Sequence, residues 1–126
     1  MTVEIGNTRP WQEFIRVCSL LRKAVVEKDC LLWEESNAIA STYRDDTHLK
    51  GKHALLLDLD VDHVYIPSST KYHGHLIINT PRGLSFDDMM EILTVLNKHG
   101  ILEPGYVSAA KARGKTWLRT PWAKKE

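Results

Sequence analysis

Cysteine is scarce in this chain: two in 126 residues, Cys18 and Cys30, with no partner at CxxC spacing. That removes the basis for a disulfide-stapled scaffold, a zinc ribbon or a CxxC redox centre, and reduced, partly buried thiols are expected. Long apolar runs are lacking too; none approaches the roughly 20 residues a membrane-spanning helix needs, so no membrane partner is expected. Neither sign of charge dominates, with 17 Lys and Arg against 16 Asp and Glu. A net charge of +1 by itself names no partner. No basic start followed by an apolar stretch marks a leader, so a cytoplasmic location is expected. Low-complexity segments and internal repeats are absent as well.

What is present is the composition of a globular protein, 43% apolar and 26% charged. The length predicts one domain over residues 1–126 with a core of its own. Residues 1–50 read as helical, 53–120 as a sheet with a further helix, and 121–126 as a basic tail. Thr8-Arg9-Pro10 suits a helix start, and Trp11, Phe14, Ile15, Cys18, Leu21 and Val25 follow at helical spacing. A second helix is expected from Cys30 or Leu31 to about Tyr43, then a polar loop over Arg44 to Lys52.

Two strands come next, His53 to Asp62 and His73 to Asn79, joined by a loop from Val64 to Tyr72. Ser85-Phe86-Asp87-Asp88 then opens an amphipathic helix that stops near His99-Gly100. Tyr106 to Ala109 and Thr116 to Leu118 read as short strands. The predicted class is α+β: N-terminal helices packed on a small, mostly antiparallel sheet with a further helix, an RRM-like or ferredoxin-like core.

The chemistry concentrates on that strand pair. On a strand, residues at i and i+2 share a face, so Asp58 with Asp60, and His73 with His75, each project as a unit. Two carboxylates about 7 Å apart repel unless a cation or basic groups compensate. They suit a hard divalent metal, and imidazoles suit metal ligation, phosphate contact or general base work. A zinc site would recruit His63 to the two histidines. Ser68, Ser69, Thr70 and Lys71 offer hydroxyls and an ammonium to a phosphate, or form a solvated turn. Lys111, Arg113, Lys115, Trp117 and Arg119 interleave bases with an aromatic, a pattern suited to nucleic-acid backbone and bases. A tail of mixed sign around a core tryptophan is the competing account.

The apolar run Leu55-Leu56-Leu57 with Asp58-Leu59-Asp60, then a Pro-Ser loop, then His75-Leu76-Ile77-Ile78, resembles the archaeo-eukaryotic primase and primase–polymerase superfamily. The chain is also similar in style to small actinobacteriophage proteins. The resemblance implies Asp58 and Asp60 as ligands of Mg²⁺ or Mn²⁺, and Asp58, Asp60 and His75 as the catalytic centre. It further implies Ser68, Ser69, Lys71, His73 and His75 on nucleotide phosphates. The family's third acidic motif has no counterpart, since Glu103 is followed by Pro104. The implied relative is therefore minimal or degenerate, binding nucleotide or nucleic acid without full polymerase activity. Two alternatives stay open: a non-enzymatic factor that binds a host or viral protein or forms a homodimer, and a metal-dependent nuclease or hydrolase.

Overall fold

The structure, a computed structural model, describes residues 14–21, 26–30, 33–70 and 72–123. It is α+β, with two small antiparallel sheets and two helices. Two compact units divide it, Met1–Asp58 and Leu59–Glu126.

The first unit is built on a three-stranded sheet ordered β2-β1-β3, from β1 (Ile15–Leu21), β2 (Val26–Cys30) and β3 (Ala38–Tyr43). Both pairings are antiparallel: Val17 faces Cys30 on one side and Ile39 on the other, and a bulge lies between Ile15 and Val17. The buried residues Ile15, Val17 and Cys18 all lie on the central strand, Cys18 at 2% exposure. A 3-10 turn, Trp33–Glu35, precedes β3. Beyond that turn the Asn37 side chain extends the ladder: Leu20 N–H donates to Asn37 Oδ1 (2.7 Å) and Asn37 Nδ2 donates to the Leu20 carbonyl (3.1 Å).

The two expected N-terminal helices are therefore strands in their described parts; Trp11, Val25, Leu31 and Leu32 lie outside the described residues. The helical spacing rested on short apolar runs, which periodicity alone does not assign. Ile15 and Val17 are β-branched and stiff at χ1, which favours the pleated sheet once partners pair, Ile15 with β3 and Val17 on both sides. Ser36 and Asn37 then break the second stretch, because Ser36 Oγ donates to the Trp33 carbonyl at 2.7 Å and Asn37 bonds Leu20.

The polar loop at 44–52 is as expected, a series of turns in which Gly51 takes φ 81°. The strand expected at His53 to Asp62 does not form. His53 makes an isolated bridge to Thr42, Ala54 N–H donates to the Ser41 carbonyl (2.7 Å), and residues 54–60 have no regular structure. Leu55 and Leu57 are 60% and 58% exposed, so alternation had no buried face to express. Three successive leucines carry no β-branch, and aspartate is depleted in strand interiors.

In the second unit β4 (His63–Pro67) and β5 (Gly74–Ile78) form a hairpin. The second expected strand is thus present, but its partner lies in what was read as the connecting loop. Val64, Tyr65 and Ile66 supply the β-branched and aromatic residues that the leucine run lacks. The strands pair from His63–Ile78 to Pro67–Gly74, and Asn79 N–H adds a bond to the Asp62 carbonyl at 2.8 Å.

Helix α1 (Phe86–Lys98) begins as the sequence predicts: Asp88 N–H donates to Ser85 Oγ at 3.0 Å, with Asp87 and Asp88 in the first turn. It ends at His99, with Gly100 at φ 77°. Helix α2 (Pro104–Arg113) packs against it and holds Ala110 at 1% exposure. The strand expected at Tyr106 to Ala109 is part of this helix, and Thr116 to Leu118 has no regular structure. Pro104 in the first turn and Gly114 in the left-handed region at the cap are ordinary start and stop signals. Three alanines with Lys111 and Arg113 between them favour helix over strand. Strands precede both helices, so the described elements do not alternate as an RRM-like core requires. No helix among the described residues is long and apolar enough to cross a membrane.

Candidate functional site

The hairpin register fixes which side chains share a face. His63, Tyr65 and Pro67 stand opposite Ile78, Leu76 and Gly74, all on one side. Val64 and Ile66 stand opposite Ile77 and His75 on the other. His73 immediately precedes β5 and joins His75: the two rings meet edge to face, centroids 5.3 Å apart and planes at 74°. The histidine pairing expected from i, i+2 spacing is thus realised. His63 is not part of it, since it sits on the opposite face with Nδ1 2.8 Å from the Val61 carbonyl oxygen.

The loop before the histidines is tightly tied. Ser68 N–H donates to the His73 carbonyl (3.1 Å), His73 N–H to the Thr70 carbonyl (3.1 Å), and Thr70 N–H to Ser68 Oγ (3.2 Å). Tyr72 closes it in the left-handed region, φ 63°. Ser69 and Thr70 are exposed and Ser68 half-buried; Lys71 lies outside the described residues.

Asp58 closes the first unit and Asp60 lies in the second, both exposed. Because 54–60 is not a strand, pleating does not align their carboxylates. Among the described residues no three His, Cys, Asp or Glu side chains gather as metal ligands.

The basic segment is organised around Trp117. Arg113, in the last turn of α2, lays its guanidinium 4.3 Å from the ring centroid, and Lys115 Nζ stands at 6.0 Å. Gly114, at φ 76°, turns the chain so that residues on either side reach the same ring. Trp117 stays 58% exposed, and Lys111 and Arg119 are exposed nearby in sequence. This tryptophan is not a core residue. Lys124, Lys125 and Glu126 lie outside the described residues.

Two contacts had little sequence signal. Ser41 Oγ lies 2.8 Å from His53 Nδ1, a pairing created by the isolated bridge between Thr42 and His53. Tyr65 crosses Gly74, where a Cβ would collide with its ring and hydroxyl. The glycine stands diagonal to the aromatic, opposite Pro67.

No family model matches the chain, and no curated protein or solved structure matches it.

Proposed function

We propose that this chain binds nucleotide or nucleic acid as a minimal primase-like domain, without full polymerase activity. The observation that carries the reading is the Arg113 guanidinium stacked on a largely exposed Trp117, with Lys115 beside the same ring. An indole face accepts a base, and the neighbouring cations accept phosphate. The hairpin supports the same reading: Ser68, Ser69, His73 and His75 offer hydroxyl and imidazole groups to phosphate along one loop and strand. Lys71 and Arg119 belong to the proposed contacts by their charge. Asp58 and Asp60 are proposed to recruit Mg²⁺ or Mn²⁺ only together with donors from a bound nucleotide, because their own ligand set is short. The reading does not depend on an RRM-like core, and its setting is the cytoplasm, where nucleotide is at hand.

The interaction-factor reading draws on a different observation. Tyr65, Leu76 and Ile78 are all exposed on one face of a hairpin of only two strands, an apolar surface suited to a protein partner or a second copy. The hydrolase reading uses the same residues as the primase-like one and gains no support of its own.

Titrating the full chain with labelled single-stranded oligonucleotide, and separately with a nucleoside triphosphate, tests the proposal. Binding that weakens with salt and falls in Arg113→Ala is expected. Absence of binding to either ligand at low salt overturns it.

A further inference from the structure

We propose that His73 and His75 form a two-ligand site for a borderline divalent cation of the zinc, nickel or copper class, distinct from the hard-metal role given to the aspartates. The evidence is the separation of the rings. Imidazole nitrogens bind such an ion at about 2.0–2.1 Å, so two rings sharing one tetrahedral ion have centroids about 5 Å apart. The two rings stand at 5.3 Å, with planes at 74°. The separation suits a shared ion, and the rings turn out of their edge-to-face contact to aim one nitrogen each at it.

Three features hold it there. The backbone of His73 is bonded at both ends of its peptide unit, N–H to Thr70 and carbonyl to Ser68. His75 is half-buried opposite Ile66 in the ladder. Gly74, between them, carries the Tyr65 ring on its reverse side. Within the paired strands that face otherwise presents Val64, Ile66 and Ile77, which offer no competing donor.

Imidazole is a preferred ligand for zinc, copper and nickel, whereas carboxylate and water suit magnesium and manganese. Two protein ligands fall short of the three or four of a dedicated zinc centre, so the ion is exchangeable and keeps open positions. Both ligands are neutral, which leaves the ion its double positive charge. An anionic oxygen from outside the chain, such as a phosphate, suits those positions.

Zn²⁺ alone, titrated into the full chain against a chromogenic chelator, tests the site. One ion per chain is expected, weakened about tenfold or more in His73→Ala and in His75→Ala and unchanged in His63→Ala. Magnesium should not compete. Because an alanine variant can loosen the hairpin, the imidazole resonances of the unmodified chain provide a second reading. Those of His73 and His75 should shift together on adding Zn²⁺, with His63 still. Equal zinc affinity in all three variants, or shifts confined to other histidines, overturns the proposal. It does not rest on the nucleic-acid reading: oligonucleotide titration in the presence of chelator reports on that one alone.

Discussion

Tyr65 lies across Gly74 on the face of the hairpin opposite His73 and His75. One side of the strand pair is thereby packed against its own backbone while the other carries the imidazoles. The glycine is required by this contact and not by its backbone angle, because φ at 74 is not in the left-handed region. A Gly74→Ala change should force the tyrosine ring off its seat and cost about 1–3 kcal/mol of stability. Denaturant unfolding checks the loss. If the phenol only covers the glycine, Tyr65→Leu combined with Gly74→Ala should recover part of it.

Asn37 closes the end of the first sheet by bonding both the N–H and the carbonyl of Leu20. Asn37→Ala should cost about 1 kcal/mol, since these groups are exposed enough for water to replace the lost partner. Hydrogen exchange at the Leu20 amide should accelerate, whereas the Asp88 amide on α1 should not change.

Ser85 caps α1 through the Asp88 N–H. Ser85→Ala should destabilise by about 1 kcal/mol and Ser85→Asp by much less, because aspartate caps equally well. Thermal unfolding followed by circular dichroism at the helix band separates the two.

Trp117 and its cations should divide the work of binding a single strand. Trp117→Leu should weaken oligonucleotide binding by about 1–3 kcal/mol with little change in salt dependence. Arg113→Ala with Lys115→Ala should lower the slope of affinity against salt by roughly 0.7 per cation removed. Fluorescence anisotropy across a salt series measures both.

Asp58 and Asp60 are exposed. Replacing both with asparagine should leave stability within about 0.5 kcal/mol, since neither lies in the described core. Metal-dependent affinity for a nucleoside triphosphate should fall in the same variant if the carboxylates recruit the ion. Isothermal calorimetry with Mn²⁺ present and absent distinguishes the two effects.

What the sequence made legible follows how local each signal was. The start and stop of α1 were readable because Ser85, Asp87, Asp88 and Gly100 act within one turn of where they stand. The turns at 44–52 and the second hairpin strand were readable for the same reason. The first sheet was not, because β1 becomes a strand only when segments on both sides in sequence return to pair with it. The run Leu55 to Asp60 misled in the opposite way: it had the alternation of a strand and no ladder to join. Its error carried into the site, since the carboxylate pairing was inferred from a pleat that is not there. The histidine pairing was inferred from the same rule and holds, because Gly74 to Ile78 does find a partner.

The strand registers also bear on how quickly the chain folds. The widest pairing in the first sheet joins Ile15 to Tyr43, and in the hairpin His63 to Ile78, while α1 packs on the helix that follows it. Every one of these contacts closes a short loop, so little chain entropy is spent before the first contacts form. Small domains with such local wiring fold on the fast side of their size class. Formation of the first sheet and of the hairpin should be complete within the dead time of manual mixing, without a slow phase from distant strands searching for each other.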